Sequence, residues 1–230
     1  MIIQCLGTGS KGNHYKIINK QGKILLVELG IPLNEILKDL DLDNVSGAIV
    51  SHNHKDHNYN DNVKRLASFG MPIITTQNGV VGKRVDLDGF SIIPLPCKHN
   101  IKCFGYLIKV DNTIIMFATD TKDLPKVANI KVDVFMVEIN YIESMVNRVL
   151  STMAYDNMKL NYESRVLITH NSLENGITYF ENLKYKPSAI LTIHKSDNPN
   201  HYNQQVVMDK LKPFAIKVDS LSNGSIFEIE

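Results

Sequence analysis

The sequence predicts an α/β fold, and two observations carry the prediction. Two kinds of segment alternate along the 230 residues: pairs of short strands joined by tight turns, and strands followed by amphipathic helices. In addition, most of the histidines and several acidic residues fall at or just beyond the ends of those strands. Loops at such positions commonly converge on a site at one edge of a sheet.

Met1–Leu6 reads as a short apolar strand that runs into Gly7-Thr8-Gly9-Ser10-Lys11-Gly12-Asn13. The three glycines let the backbone turn sharply and approach a neighbouring element or ligand closely. No G-K-[ST] follows at the required spacing, so the loop is not a P-loop. His14–Asn19 and Lys23–Leu29 form a strand pair around Gln21-Gly22. Pro32 opens an apolar-periodic helix through Leu33, Ile36, Leu37 and Leu40. Val45–Val50 is an apolar run of buried-strand type, and Asp61–Phe69 has helical spacing that stops at Gly70. Pro72–Thr75 and Asp88–Pro94 are short strands, and His99 follows in a Pro- and Cys-containing loop. Phe104–Val110 and Thr113–Ala118 make a hairpin around Asp111-Asn112, with Asp120 directly after it. Val132–Ile139 is a strand carrying Glu138 near its end. Apolar residues from Ile142 to Met153 recur at helical period within residues 141–164, a stripe that core packing explains. A helix over Leu173–Leu183, a strand over Ala189–Ile193 ending at His194, a helix over Asn203–Leu211 and a final strand over Ser225–Glu230 complete the chain.

Composition narrows the class. Hydrophobic content of 43% and charged content of 21% are ordinary for a globular protein, and the length suits one substantial domain over residues 1–230. No apolar run reaches membrane-spanning length and the N-terminus enters a strand pattern directly, so a cytoplasmic location with no membrane partner is expected. Cys5, Cys97 and Cys103 are an odd set without a C-x-x-C pair, which argues against a disulfide framework. Cys97 and Cys103 flank His99, where buried free thiols are the expected reading. A net charge of +1 argues against a protein that grips long nucleic acid, whose footprint is strongly basic.

Ser51-His52-Asn53-His54-Lys55-Asp56-His57 places four metal-binding side chains within six residues, at the C-terminal end of a strand. Imidazole nitrogens and carboxylate oxygens are the donors that Zn²⁺ and similar divalent ions take. His52 and His54 are two apart and project to the same side of extended backbone, whereas Asp56 and His57 come after a turn and aim elsewhere. That suits two neighbouring ions. His99, Asp120, His170 and His194 stand at further strand ends or in the loops that follow, and seven of these eight residues would hold two ions with one carboxylate between them. His14 is a candidate pocket-lining or surface residue, His201 is expected to be exposed, and Lys98 and Lys195 are expected to be solvated.

This pattern resembles the metallo-β-lactamase superfamily, whose signature H-x-H-x-D-H is matched without a gap by His52–His57. The resemblance runs over nearly the whole chain. Gly7–Asn13 resembles the family's opening G-x-G-S-x-G-N, and Phe117–Thr121 its G-D-T segment. The resemblance implies a four-layered αββα sandwich. It also implies two divalent ions, Zn²⁺ first and Mn²⁺ second, with His52, His54 and His99 on one and Asp56, His57 and His194 on the other. Asp120 would bridge them. Later segments are most similar to the nucleic-acid-processing branch, including tRNase Z-like and YycJ-like nucleases. Val137–Asn140 resembles the E-x-[TN] segment there, Arg165–Asn175 the second histidine motif, and Ile193–Ser196 the final H-[FL]-S motif. The candidate catalytic residues so implied are Asp56, His170 as proton donor to the leaving group, and Glu138 as the group that orients it.

Three departures stand out. Glu28 replaces the family's strand aspartate in Glu28-Leu29-Gly30, Asn100 follows His99 where Asp is frequent, and Thr119 precedes Asp120. None removes a direct ligand. The expected function is a metal-dependent phosphodiesterase on a nucleotide, with a cyclic nucleotide favoured. The near-neutral charge and the lack of a long tRNA-gripping arm or an inserted domain favour a small substrate, and some phage members of the superfamily degrade cyclic-nucleotide defence signals. A 5′ exonuclease or endoribonuclease on DNA or RNA is the alternative that the YycJ-like resemblance favours. A lactonase- or thioesterase-type ester hydrolase and a catalytically silent binding module are the readings from other classes. The expected partner is the nucleotide or nucleic-acid phosphodiester itself, and a homodimer is compatible with the chain.

Overall fold

The computed structural model describes residues 1–127, 129–152 and 164–229. The first sheet begins with an antiparallel meander of β1 (Ile2–Gly7), β2 (His14–Ile18) and β3 (Ile24–Val27). After α1 (Leu33–Leu37), β4 (Val45–Ile49) joins parallel to β3; after α2 (Asn62–Ser68), β5 (Ile73–Ile74) joins parallel to β4. Parallel neighbours need such crossovers, because a tight turn can join only antiparallel strands.

The second sheet starts as an antiparallel series of β6 (Val85–Leu87), β7 (Phe90–Cys97), β8 (Cys103–Val110) and β9 (Thr113–Ala118). It continues in parallel with β10 (Val134–Glu138), β11 (Ala189–Ile193) and β12 (Lys217–Ser220). Helices α3 (Glu143–Thr152), α4 (Leu173–Glu181) and α5 (Gln204–Leu211) lie in these connections. The last strand, β13 (Ile226–Glu228), returns to pair with β1. The strand orders are β13-β1-β2-β3-β4-β5 and β12-β11-β10-β9-β8-β7-β6.

The layers follow from which faces are apolar. Ile3, Tyr15, Leu25 and Ile49 of the first sheet share one buried cluster with Tyr106, Phe117, Met136 and Leu191 of the second, so the sheets pack face to face. The outer face of the first sheet buries Leu26 and Ala48 against Ile36 of α1 and Leu66 of α2. The outer face of the second buries Phe135 and Val137 against Phe180 of α4 and Leu211 of α5. Helix, sheet, sheet, helix is the αββα order that the resemblance implies.

Five strands that are parallel to a neighbour set the site. Residues just past the carboxyl ends of β3, β4, β9, β10 and β11 include Glu28, Ser51–His57, Asp120 and His194, and Glu138 is the last residue of β10. The 98–102 turn between β7 and β8 adds His99 to the same edge.

Several expectations shift here. Pro94, Pro96 and Cys97 belong to β7 and not to a loop, so only residues 98–102 form the turn around His99. Beyond Ile92, β7 has no partner in β6 and is an edge strand, where a proline's missing N–H costs no ladder bond. The short edge strands β6 and β12 have too few apolar residues to be read from pattern alone. Of the helical stripe over 141–164, α3 takes the first part, with Val146 buried; Met153 and its successors to 163 lie outside the described residues.

Candidate metal centre

The 52–57 turn is clamped from two sides. The N–H groups of His57 and Asn58 both donate to the His54 carbonyl, at 3.0 and 2.8 Å, which turns the chain between the two histidine pairs. The Asn13 backbone N–H donates to the Asp56 carbonyl at 2.8 Å, and Asn13 Nδ2 donates to the same oxygen at 3.1 Å. A Cβ on Gly30 would stand 1.7 Å from that carbonyl, and one on Gly12 would stand 2.4 Å from the Gly30 carbonyl. Glycine is therefore obligatory where the opening loop and Gly30 press on the turn.

Three site residues, Glu28 (φ 60), Asp120 (φ 46) and His194 (φ 48), have left-handed backbone within two residues of the ends of their strands. Non-glycine residues held there cost about 1–3 kcal/mol each and cluster at functional sites. Fixed partners hold one of them: the His194 N–H donates to Thr8 Oγ1 at 2.9 Å and its carbonyl accepts from Asn140 Nδ2 at 2.7 Å.

One donor group is His52, His54, His99 and Asp120. His52 Nδ1 bonds Ser51 Oγ at 2.8 Å, and His99 Nδ1 donates to the Thr169 carbonyl at 3.2 Å. Their Nε2 atoms then turn inward, 3.0 and 3.3 Å from His54 Nδ1. Asp120 Oδ2 lies 3.3 Å from His52 Nε2. Burial, reinforced by His57 nearby, lowers the His52 pKa to about 3, and burial also lowers that of His99. Neutral imidazoles gathered at such distances present lone pairs that a shared cation could take.

A second group is Asp56, His57, Asp120 and His194. His57 Nδ1 faces Glu28 Oε2 at 3.3 Å, which leaves Nε2 within 3.0 Å of Asp120 Oδ2 and 3.3 Å of Asp56 Oδ2. His194 Nδ1 lies 3.0 Å from Glu138 Oε1 and its Nε2 lies 3.5 Å from Asp56 Oδ2. Carboxylates that hold the outer imidazole nitrogen are the usual support for metal-binding histidines. Asp120 Oδ2 is common to both groups. His194 Nε2 and Asp120 Oδ1 are buried and face charged neighbours, Asp56 Oδ2 at 3.5 Å and His194 Nδ1 at 3.0 Å, without a well-aligned hydrogen bond, an arrangement that fits a cation and not an apolar core. A third set, Asp120, Glu138, His170 and His194, can also gather around an ion.

The charge balance points the same way. Burial penalises the imidazolium at His57 and at His194, but Asp120 and the other carboxylates around them outweigh it. The His57 pKa is lifted well above the ordinary value and that of His194 to about 10. His170 is likewise raised against its burial by Glu138, with Nδ1 2.7 Å from Glu138 Oε1. With no cation bound, protons on these histidines neutralise the buried carboxylates; a bound cation would take their place.

All nine candidate residues meet at this one edge. Ser10 and Arg165 join the same cavity of about 260 Å³, and neither was singled out from the sequence because neither belongs to a metal-donor type. Glu28 reaches the turn: its oxygens accept from the Ser51 N–H at 3.1 and 3.3 Å, so the longer side chain still ties the loop. His14 does not line the cavity but is fully buried behind it, with Nδ1 donating to the Glu28 carbonyl at 2.6 Å. His201 is 1% exposed and bonds Asn198 Nδ2 at 2.9 Å, against the expected exposed turn; its carbonyl accepts from the Ile142 N–H at 2.8 Å, which ties the turn to the start of the segment leading into α3. Lys98 pairs with Asp123 at 2.5 Å and Lys195 donates to Gln204 at 2.7 Å, both at the surface. Cys103 is a buried thiol 3.8 Å from His52 Nδ1.

No protein-family model and no curated protein matches this chain. Solved structures do. The metallo-β-lactamase-fold protein YhfI from Bacillus subtilis superposes with a TM-score of 0.70 at 15% identity, over 99% of each chain. A diphosphatase of the PhnP family gives 0.62 at 14% identity, over 100% of this chain and 98% of that one. The short form of human tRNase Z gives 0.64 at 12% identity, over 100% of both. The chain is a metallo-β-lactamase-fold protein.

Proposed function

We propose that this chain is a two-metal phosphodiesterase for a small nucleotide substrate, with a cyclic nucleotide first among the candidates. In this reading His52, His54 and His99 would hold one divalent ion, Asp56, His57 and His194 would hold the other, and Asp120, which belongs to both donor groups, would be shared between them. The mixture of imidazole and carboxylate donors suits Zn²⁺, with Mn²⁺ as an alternative. Bound ions supply Lewis acidity and lower the pKa of a water molecule towards ~7.

The observation that carries the phosphodiester reading is the 2.7 Å contact between His170 and Glu138 beside the donor groups. Glu138 is fully buried and holds the proton on Nδ1, so that Nε2 is the nitrogen left to pass a proton to the leaving alkoxide. Asp56, whose carboxyl is held well below the usual carboxylate range by His194 and His57 despite its burial, stays ionised and accepts a hydrogen bond from the attacking water. The structural likeness to a diphosphatase and to a tRNase supports the same chemistry as an analogy of fold. A net charge of +1 favours a small substrate over a long polyanion. The cavity of about 260 Å³ is compatible with that and with the second reading, a 5′ exonuclease or endoribonuclease, because a strand can leave most of itself outside.

The decisive test is a substrate panel on protein loaded with Zn²⁺ or Mn²⁺: a chromogenic phosphodiester, cyclic nucleotides, single-stranded DNA and RNA, and a lactone. Turnover of the chromogenic diester and of a cyclic nucleotide is expected. Lactone turnover without any phosphodiester turnover sinks the reading, and strand cleavage without cyclic-nucleotide turnover replaces it with the nuclease. His170→Ala is expected to lower kcat by ~10²–10⁴-fold with metal content unchanged. Loss of metal instead makes His170 a ligand.

A further inference from the structure

Besides His170 and five of the candidate ligands (His54, Asp56, His99, Asp120 and His194), the cavity is lined by Ser10, Arg165, Val166 and Thr169. Arg165 is the one Lys or Arg in that lining. Its backbone is held within helical residues 164–169: its carbonyl accepts from Thr169 Oγ1 at 2.7 Å, and the Thr169 carbonyl in turn accepts from His99 Nδ1 at 3.2 Å. His170 follows immediately, its N–H donating to the Val166 carbonyl at 3.2 Å. One short segment thus carries the proton donor, the support for a candidate ligand and a permanent cation. Among the described residues no carboxylate pairs with Arg165, whereas the cavity itself presents Asp56 and Asp120.

An exposed arginine on a helix is ordinarily solvated. Here it stands in the wall of a small cavity where Asp56 and Asp120 are already balanced by the neighbouring histidines or by a bound cation, which leaves the guanidinium as the side-chain cation available to an incoming anion. A guanidinium offers a planar fork of N–H donors that matches two phosphate oxygens, and it stays charged at any working pH.

Resting on the phosphodiester reading, we propose that Arg165 is the substrate-binding residue for the non-bridging phosphoryl oxygens. It sets the preference of the site for anionic phosphodiesters, with the remainder of the substrate lying outside the cavity. The test uses the metal-loaded full chain as wild type, Arg165→Gln and Arg165→Lys. Three quantities are read: bound metal, KM and kcat for a chromogenic phosphodiester, and the affinity for inorganic phosphate by calorimetry. Charge-assisted hydrogen bonds predict a rise in KM and a loss of phosphate affinity of ~10–100-fold in Arg165→Gln. The change in kcat is smaller, recovery in Arg165→Lys is partial and metal content is unchanged. Phosphate affinity and KM within twofold of wild type overturn the proposal, as does loss of metal in Arg165→Gln, which makes the residue a support of the centre. A wild type that binds phosphate through Arg165 but turns over no phosphodiester overturns the function and leaves the anion site standing.

Discussion

At the scale of single residues, the centre depends on a few side chains whose second atoms are spoken for. Ser51, Thr169, Glu28 and Glu138 each occupy one nitrogen of a histidine, and the other nitrogen is thereby turned inward. Glu28 stands where an aspartate is usual, yet it reaches both the Ser51 N–H and His57 Nδ1. Glu28→Gln keeps the shape but gives up the charge, and is expected to weaken metal affinity by ~10–100-fold in competition with a chelating dye. Unchanged affinity would show that His57 needs no carboxylate behind it. Asp120 is the other case. Its Oδ2 contacts His52 and His57 at 3.3 and 3.0 Å, so Asp120→Ala removes one donor from both groups at once. Turnover should fall to background, with bound metal lost and the circular dichroism spectrum retained; persisting turnover would remove Asp120 from its bridging place.

At the scale of elements, the donors are delivered by strand ends and held by loops that touch through backbone. The Gly7–Asn13 loop and Gly30 press on the Asp56 carbonyl, so the 52–57 turn is shaped by its neighbours as much as by its own residues. A methyl group at Gly30 cannot be placed 1.7 Å from that carbonyl unless the turn moves. Gly30→Ala is expected to cost at least ~1–3 kcal/mol in urea unfolding and to lower metal content with it. Wild-type stability and metal loading would mean that the clamp is slack. The left-handed residues Glu28, Asp120 and His194 belong to this scale too, since each reverses the chain where a strand stops and aims a side chain at the common edge.

At the scale of the whole molecule, two sheets pack through one apolar cluster, and the site sits at the edge where their parallel strands end. Packing this tight has a consequence for acid stability through His14, which is fully buried. Burial lowers its pKa to about 4 against an ordinary 6.5, and its Nδ1–H bond to the Glu28 carbonyl offsets this only in part. As pH falls below 6.5 the unfolded chain takes up a proton that the folded chain refuses, so stability is lost progressively down to about pH 4. The contribution is about 3 kcal/mol, from ~1.4 kcal/mol per pKa unit. Unfolding measured between pH 4 and 7 should show a shallower loss in His14→Gln than in the wild type. Equal slopes, or a His14 resonance titrating near 6.5, would contradict the burial assigned to it. Among the described residues, no helix is long and apolar enough to cross a membrane.

Much of this was legible in the chain. Period-2 and period-3.6 apolar patterns mark the strands and helices that bury a face, because burial against a layer imposes that period. His52–His57, His99, Asp120 and His194 could be picked out because metal donors are few in kind and stood at strand ends. Other features have no local signature. β6 and β12 are edge strands defined by their neighbours' ladders, and β7 carries prolines only because its outer side is open. His14 and His201 look like surface residues in sequence, but their burial depends on what packs over them. The sequence by itself determined the alternation of strands and helices and the donor types, since both follow from side-chain chemistry repeated at fixed spacing, while the order of the layers was implied by the resemblance. Only the tertiary structure decided which nitrogen of each supported histidine faces inward, that one oxygen of Asp120 lies against both His52 and His57, and that Arg165 shares their cavity. Those facts are distances between strand ends far apart in the chain, and no local pattern encodes them.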